Sequence, residues 1–405
     1  MTTPSLPAPD DVAAARKVLD GVVVHTPMLY SRVLSEHVGG PVYLKCENLQ
    51  RTGSFKARGA YLRIFRLSDA ERARGVIAAS AGNHAQGVAF AAARLGAKAT
   101  VVMPEGAPLP KVEATRSYGA EVILDGSAIE HALARAQEVA AEHGSIFIHP
   151  FEHPDVLAGQ GTVGLEIVEQ CPDVRTIVVP VGGGGLAAGI AIAAHGAIPA
   201  VRVIGVQAEA VASFPGSLAA GYPLTVAPGP TMADGIAVAR PGELAFAVLA
   251  ERAHRMVAVS EKSLSRALLV CLERSKQVVE PAGAAGVAAL LENPRKFEPP
   301  VVAVLSGGNI DPLLLAKVLR YGLAAAGRFL TFRCPLPDRP GALATLLAEV
   351  AALGANVLDV MHERITSGLH VDEVEVLLQV ETRGPEHCDS VIRQLRGSGY
   401  KLLLS

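Results

Sequence analysis

The chain has 405 residues, of which 50% are apolar, enough for two or three domains with substantial cores. Its 37 basic and 39 acidic side chains give a net charge of −2 without long runs of either sign, so the charge pattern indicates neither a nucleic-acid-binding nor an anionic-membrane-binding protein. No apolar run is long enough to span a bilayer, the first residues do not resemble a secretion signal, and the 5 scattered cysteines predict free thiols, so we expect a cytoplasmic protein.

Apolar patterns predict alternating strands and helices through the first part of the chain. A strand-like segment at 41–50 precedes a helix at 55–67, for which Ser54 resembles an N-cap. Further strands are predicted at 75–79, 97–103, 120–124, 146–149, 176–181, 201–207, 256–259 and 301–305, with helices between them that include 84–95 and 128–143. Continuous apolar strands separated by helices predict an α/β fold with a parallel sheet covered on both faces.

The pattern changes near a glycine- and alanine-rich segment at 322–328. Beyond it, strands at 329–334, 357–363, 373–382 and 400–404 and helices at 342–353 and 386–395 predict a βαββαβ ferredoxin-like unit. We therefore expect two domains, 1–325 and 326–405, with a smaller subdomain nested at about 50–150 of the first.

Lys56 is predicted to lie in the first turn of the helix at 55–67. The partial positive charge of a helix N-terminus disfavours a cation, so the pKa of this lysine should be lowered. A neutral amine is a nucleophile toward carbonyl groups. The alternative is a solvated lysine that tolerates the unfavourable field.

Four consecutive glycines follow the predicted strand at 176–181 and lead into a helix near Leu186. Backbone N–H groups can approach a ligand closely there, and the helix start adds a positive field, which together suit a phosphate. One alternative is close strand–helix packing. Another is a dinucleotide-binding fingerprint made by Gly183, Gly185 and Ala188 with Glu209 after a later strand.

Two further strand-to-helix turns carry short polar side chains. The turn at 80–87 contains Ser80, Asn83 and His84 and suits a carboxylate, or a phenolate oxygen through Asn83, although ordinary helix capping is equally consistent with it. Ser306, after the strand at 301–305, could donate a hydrogen bond to a neutral ring nitrogen or cap the helix after Pro312. A lysine amine, a phosphate cradle, an asparagine and a serine at four strand ends match the requirements of pyridoxal phosphate.

The segments SFKARGA, SAGNHAQG, GGGGL, EPAGA and SGGN resemble, in this order, the motifs of fold-type II pyridoxal-phosphate enzymes, and most closely those of the threonine/serine dehydratases. The resemblance spans residues from about 20 to 320. It implies that the amine of Lys56 carries the cofactor and acts as catalytic base. The other implied cofactor contacts are Phe55, Asn83 at the ring oxygen, Gly182, Gly183, Gly184, Gly185 and Leu186 at the phosphate, and Ser306 at the ring nitrogen. The implied substrate-carboxylate contacts are Ser80, Ala81, Gly82, Asn83 and His84.

The resemblance also implies a reaction. The run after Gly82 and Asn83 favours a dehydratase over a cysteine synthase, and Ala81 stands where serine racemases usually carry a second serine. The expected activity is elimination of water from L-threonine, and from L-serine, to give 2-oxobutanoate or pyruvate and ammonia, as the first step of isoleucine biosynthesis. A serine-specific or catabolic dehydratase, a nicotinamide oxidoreductase and a non-catalytic amino-acid sensor are the alternatives.

The C-terminal unit, with its DRPGAL turn at 338–343, resembles an ACT domain, which implies a homodimer or homotetramer and an amino-acid effector such as a branched-chain amino acid. A relative's metal site uses an acidic pair near Glu209, but this chain lacks the second acid, so we expect no metal. Glu280 could line the pocket, or its position before Pro281 could simply mark the start of a helix.

Overall fold

The computed structural model describes residues 5–364 and 370–404, so the first four residues of the N-terminal tail lie outside the described part. The strands, in chain order, are β1 (Met28–Tyr30), β2 (Val42–Cys46), β3 (Val76–Ala79), β4 (Ala99–Met103), β5 (Glu121–Leu124), β6 (Ile146–Phe147), β7 (Thr176–Pro180), β8 (Arg202–Ala208), β9 (Ala253–Val259), β10 (Val301–Leu305), β11 (Phe329–Pro337), β12 (Asn356–Glu363), β13 (Glu373–Glu381) and β14 (Leu403–Leu404).

The helices are α1 (Pro9–Leu19), α2 (Arg32–Val38), α3 (Lys56–Phe65), α4 (Asp69–Ala73), α5 (Asn83–Leu95), α6 (Leu109–Ser117), α7 (Ile129–His143), α8 (Pro154–Gln170), α9 (Gly185–Ala197), α10 (Ser213–Ala220), α11 (Glu243–Arg252), α12 (Glu261–Ser275), α13 (Ala285–Glu292), α14 (Pro312–Ala325), α15 (Ala342–Ala352) and α16 (Pro385–Gly397). Short 3₁₀ turns occur at Glu47–Leu49, Glu209–Val211, Asp234–Ile236 and Pro294–Lys296. Among the described residues, no helix combines the length and the apolar character that crossing a membrane requires.

The chain divides into two compact units, Met1–Leu314 and Leu315–Ser405. The first unit contains a six-stranded sheet in the order β1-β2-β10-β7-β8-β9, parallel except for β1, and a four-stranded parallel sheet in the order β5-β4-β3-β6. All residues of β3, β7 and β10 are buried, as expected for strands covered on both faces. The predicted α/β fold is confirmed.

Glycines allow α8 and α9 to pack backbone against backbone behind the larger sheet. A Cβ atom on Gly189 would lie 2.4 Å from the carbonyl oxygen of Leu157, and one on Gly161 would lie 2.8 Å from that of Gly189. This close approach builds the apolar core around β7 and β8, to which Ile177, Val179 and Ile190 contribute.

The second unit has the chain order β11-α15-β12-β13-α16-β14 and an antiparallel sheet in the order β12-β13-β11-β14. Alternate residues of β11, from Leu330 to Leu336, are buried against the two helices. The predicted ferredoxin-like topology is confirmed. The division between the units falls after Leu314, inside α14, whereas the sequence predicted a boundary after residue 325.

Two local predictions were wrong next to the candidate lysine. The segment at 41–50 is a strand only as far as Cys46, after which Glu47–Leu49 forms a 3₁₀ turn. Ser54 does not cap α3, because Phe55 occupies the N-cap position and the Ser54 hydroxyl is buried with no partner among the described residues. Instead, the backbone of Ser54 pairs with Gly307 in an isolated β-bridge. Contact with the end of β10 therefore decides where α3 begins.

Candidate functional site

Lys56 is the first residue of α3, as the sequence predicted. Its side chain is half-buried; Nζ donates a hydrogen bond of 2.9 Å to the carbonyl oxygen of Pro150 and lies 5.2 Å from the centre of the Phe55 ring. Burial lowers the pKa of Lys56 to about 8, although the Glu280 carboxylate acts in the opposite direction. The pKa of Lys56 is thus lowered, as the sequence predicted, and the main cause is loss of hydration.

Pro150 and Phe151 connect Lys56 to the glycine turn. The Pro150 carbonyl accepts from Lys56, and the ring of the next residue, Phe151, packs on the glycines between β7 and α9. A Cβ atom on Gly183 would lie 2.5 Å from this ring, and one on Gly185 would lie 2.9 Å from the Phe151 Cβ. The segment 150–151 therefore brings two distant sequence motifs to one place.

The glycine turn satisfies both the packing and the phosphate interpretations. Gly184 precedes α9 with a left-handed φ of 99°, and a Cβ atom there would lie 2.7 Å from the Phe214 ring. The first N–H groups of α9 have no partner within the helix, so the turn presents donors and a positive field to an anion. Close packing thus requires the glycines, and their backbone can still form a phosphate site.

We expect Gly183→Ala to lower the free energy of unfolding by about 1–3 kcal/mol, because the new methyl group must displace Phe151. Gly216→Ala in α10 is the matched control, since its Cβ atom would meet only Leu224, at 4.0 Å, and alanine favours a helix. Urea denaturation of both variants measures the difference. Equal midpoints would contradict the steric requirement at Gly183.

Asn83 begins α5, directly after the turn that contains Ser80, Ala81 and Gly82. Gly82 is the N-cap residue and makes no side-chain cap bond, so the capping interpretation was wrong for Ser80 and Asn83. The Asn83 amide accepts from Asn309 Nδ2 at 2.8 Å and donates to Glu280 Oε1 at 2.6 Å. The start of α5 therefore offers backbone donors to an anion, with the Asn83 side chain beside them.

His84 is buried, and its Nε2 lies 2.7 Å from the carbonyl oxygen of Ile148, to which it must donate. Burial lowers the pKa of His84 to about 3, and the nearby charge of Lys56 acts in the same direction. The ring is therefore neutral and brings no positive charge to a carboxylate. Any role of His84 at the substrate would be played by its backbone N–H at the helix N-terminus.

Backbone contacts hold Ser306 next to the start of α3. The Ser306 carbonyl accepts from Phe55 N–H at 3.2 Å, and Ser306 itself is buried. The N-cap interpretation of Ser306 was wrong, because the Asp311 carboxylate accepts from Leu313 and Leu314 N–H at the start of α14. The end of β10 thus places the Ser306 residue beside Lys56.

Glu280 is a site residue whose role remained open at the level of sequence. The helix start that could explain it lies further on, since α13 begins only at Ala285. Its N–H donates to Gly307 O at 3.0 Å and its buried carboxyl accepts from Asn83. Burial raises the pKa of Glu280 to about 7, with Asp234 acting in the same direction and Lys111, Asn83 and Lys56 opposing it.

Arg58, two residues after Lys56, belongs to a fully buried ion-pair network that the sequence analysis missed. The guanidinium forms a two-point contact with Glu47, with both distances 2.8 Å, and donates to Glu166 at 2.6 Å. Lys45 donates to the other oxygen of Glu166 at 2.5 Å. The motif SFKARGA contained the arginine, but its partners are distant in the sequence and carried no signal.

Glu209 lies in the 3₁₀ turn after β8. Within residues 5–364 and 370–404, no three or more His, Cys, Asp or Glu side chains are grouped so that they could hold a metal ion. All five cysteines are free thiols.

The arrangement is chemically suited to a cofactor that carries an aldehyde, a ring and a phosphate. An amine with a lowered pKa can react with the aldehyde, and two helix N-termini, at α5 and α9, offer N–H donors to anionic groups. Side chains on Gly183, Gly184 or Gly185 would collide with Phe151 or Phe214, so this turn consists of bare backbone. These residues fit pyridoxal phosphate.

Comparisons with known proteins agree with this fit. Residues 19–307 match the family model described as "Pyridoxal-phosphate dependent enzyme". A protein of Thermotoga maritima named L-threonine ammonia-lyase is 48% identical over 393 residues, covering 97% of this chain and 98% of that relative. A crystal structure of a threonine deaminase from T.th. has a TM-score of 0.72 at 43% identity and covers 75% of this chain and 99% of that one. The structure of maize serine racemase has a TM-score of 0.74 at 34% identity, and the match covers 79% of this chain and 99% of that one.

Proposed function

The chain belongs to the family of pyridoxal-phosphate-dependent enzymes, and from this premise we propose that it is an L-threonine ammonia-lyase. The reaction removes water from L-threonine and yields 2-oxobutanoate and ammonia; L-serine would give pyruvate. The observation that carries the proposal is the amine of Lys56, buried enough to be partly neutral near pH 7 and gathered with Asn83, Ser306 and the glycine turn. The names of the similar proteins support threonine as the substrate.

Lys56 is proposed to act twice. Bound pyridoxal phosphate supplies an aldehyde that reacts with amines and a ring that accepts electron density. Lys56 would hold the cofactor through its amine, and the same amine, when free and neutral, could accept the α-proton of the substrate as general base. The Pro150 carbonyl, at 2.9 Å, accepts a hydrogen bond from this amine and limits where it can point.

Ser306 and Ala81 are proposed to decide between elimination and racemisation. The Ser306 hydroxyl can donate to a neutral ring nitrogen, whereas an aspartate there would keep the nitrogen protonated. By keeping the ring nitrogen neutral, Ser306 would limit how much negative charge the ring accepts, which would favour elimination of the β-hydroxyl group over return of the α-proton. The methyl group of Ala81 cannot transfer a proton to the opposite face of the substrate, which argues against a racemase.

The purified protein, loaded with pyridoxal phosphate, should release ammonia and 2-oxobutanoate from L-threonine in equal amounts. Parallel assays would follow pyruvate and D-serine from L-serine, and reduction of a nicotinamide cofactor. D-serine without a 2-oxo acid would favour a racemase. Threonine binding without any product would favour a non-catalytic sensor.

The lowered pKa of Lys56 predicts how cofactor uptake depends on pH. Only the neutral amine attacks an aldehyde, so the uptake rate should rise about tenfold per pH unit and level off above about 8. An N-acetyl-lysine control should continue to gain rate up to about pH 10.4. Glu280→Gln should move the protein's plateau to lower pH, because the Glu280 carboxylate raises the pKa of Lys56. Stopped-flow absorbance of the cofactor-free protein measures this, and a profile parallel to the control would contradict it.

The second unit is proposed to be an ACT-like regulatory domain that binds an amino acid. Its turn at 338–343 lines a cavity of about 230 Å³ together with His362 and Arg364, and Arg364 lies 3.4 Å from the Asp338 carboxylate. The Asp338 carboxylate could bind the ammonium group of a free amino acid, and the Arg364 guanidinium could bind its carboxylate. Titration calorimetry with isoleucine and valine tests the proposal; absence of heat with both would remove the effector.

Regulation by a branched-chain amino acid would accord with a first step of isoleucine biosynthesis, for which 2-oxobutanoate is a precursor. We propose this role, in the cytoplasm, for a homodimer or homotetramer. Analytical ultracentrifugation with and without isoleucine tests the assembly. Restoration of isoleucine-free growth in a host without threonine deaminase tests the pathway.

A further inference from the structure

The Asn83 amide lies between two side chains of opposite hydrogen-bonding character. Its Oδ1 accepts from Asn309 Nδ2 at 2.8 Å, and its Nδ2 donates to Glu280 Oε1 at 2.6 Å. A turn of the amide by 180° would set two donors against each other on one side and two acceptors on the other. Asn309, together with Glu280 in its ionised form, therefore specifies one orientation.

The orientation of the Asn83 amide depends, through Asn309, on the backbone carbonyl of Thr52. The Thr52 carbonyl only accepts, so the atom of Asn309 that lies 2.6 Å from it must be Nδ2. The other hydrogen of this Nδ2 faces Asn83, which must present its oxygen there, and a longer contact of 3.5 Å reaches Gln86 Oε1. Asn83 Nδ2 is then directed to the Glu280 carboxyl.

The backbone around this series of bonds is shaped to hold it. Thr52 has a left-handed φ of 58°, which a β-branched residue rarely adopts, and this conformation presents the carbonyl that Asn309 reaches. A Cβ atom on Gly53 would lie 2.3 Å from Asn309 Oδ1. A Cβ atom on Gly307 would lie 2.2 Å from Glu280 Oε1 and 2.8 Å from Asn83 Nδ2. A side chain at either glycine would therefore collide with the network.

We infer that Asn309 and Glu280 are positioning residues, which hold the Asn83 amide so that its second Nδ2 hydrogen is kept for the ring oxygen of pyridoxal phosphate. One hydrogen of Nδ2 goes to Glu280, and the other remains. The inference deepens the proposed function and rests on it for the kinetic readout. It assigns a role to the last residue of SGGN, which the motif alone left without one.

The first test is Asn309→Asp, which keeps the shape and replaces the donor by an oxygen. That oxygen would face the Thr52 carbonyl and Asn83 Oδ1, so the Asn83 amide should turn over and present its oxygen to the ring oxygen. We expect the visible absorbance of the bound cofactor to shift, kcat for L-threonine to fall about 100-fold and KM to change less than about threefold. Asn309→Ala should change the cofactor absorbance and kcat in the same directions. This variant replaces Asn309→Asp in the test if the aspartate variant does not fold.

Glu280 is tested by a conservative pair. Glu280→Gln can still accept from Asn83 through its amide oxygen and should keep the wild-type spectrum. Glu280→Leu cannot accept, so Asn83 keeps only its contact with Asn309, and the spectrum should shift in the same direction as for Asn309→Asp but by less. A purely structural role would give Leu and Gln variants that differ in thermal unfolding but not in the cofactor band.

Asn48→Ala is the matched control. Asn48 is a buried asparagine that packs on Gly308 and donates to Gln277 Oε1 at 3.0 Å and to Val278 O at 3.2 Å, so its amide hydrogens are directed to residues other than Asn83. It should lower the unfolding temperature without a spectral shift. A wild-type spectrum with kcat within about twofold for Asn309→Asp, or an equal shift in Asn48→Ala, would overturn the inference. If the wild-type protein binds the cofactor but releases no ammonia, the proposed function fails and the spectra still decide the inference.

Discussion

Replacement of Lys56 by alanine is expected to lower the turnover of L-threonine by at least about 10⁴-fold, because the variant loses both the amine that holds the cofactor and the proposed general base. The visible absorbance of the bound cofactor should disappear as well. The fold should remain, since the removed cation stands at a helix N-terminus and makes one hydrogen bond, to Pro150.

Lys262→Ala provides the matched control. Lys262 also lies in the first turn of a helix, α12, but its side chain is exposed. Turnover and the cofactor spectrum of this variant should equal those of the wild type. A Lys56→Ala protein with a near-normal rate would reject the assignment of Lys56, whereas a variant unable to fold would be recognised by its circular dichroism.

Replacement of Arg58 by alanine is expected to lower the free energy of unfolding by about 3–5 kcal/mol. Arg58, Glu47 and Lys45 are 0% exposed, and Arg58 also donates to Thr162 Oγ1 and to the Val24 carbonyl. Burial by itself would raise the pKa of Glu166, but the charges of Arg58 and Lys45 outweigh it and hold that pKa below its ordinary value. Without Arg58, two buried carboxylates would share one lysine.

The same ion-pair network explains why Arg58→Ala should also disturb the position of Lys56. Arg58 lies on α3, Glu47 in the 3₁₀ turn after β2, and Glu166 on α8, so the guanidinium fixes the helix that carries Lys56 against two other elements. Arg58→Lys should rescue little, because an ammonium cannot form the two-point contact with Glu47.

Urea denaturation followed by circular dichroism measures the loss. Arg32→Ala, which removes an exposed pair with Glu36, is the control and should leave the midpoint unchanged. A midpoint for Arg58→Ala equal to that of this control would show that the buried network contributes no net stability.

The sequence by itself determined the fold class and the positions of the candidate residues along the chain. Fully apolar runs such as those of β7 and β10 are typical of strands covered by helices on both faces, so local composition indicated the parallel sheet. Glycines and short polar residues at the ends of these runs indicated which turns could receive a ligand. Lys56 was predicted in the first helical turn because the patterns that begin and end helices are local.

Only the tertiary structure decided what surrounds those residues. The pKa of Lys56 is lowered mainly by burial, and the side chain contacts Pro150, nearly a hundred residues away in the sequence. Ser54, expected to cap α3, pairs instead with Gly307. Glu280 and Asn309 meet Asn83, and Glu166 meets Arg58, across separations of more than a hundred residues. A hydrogen bond between distant segments leaves no periodic trace in either one, so packing of the strand ends, and not sequence pattern, determines these partners.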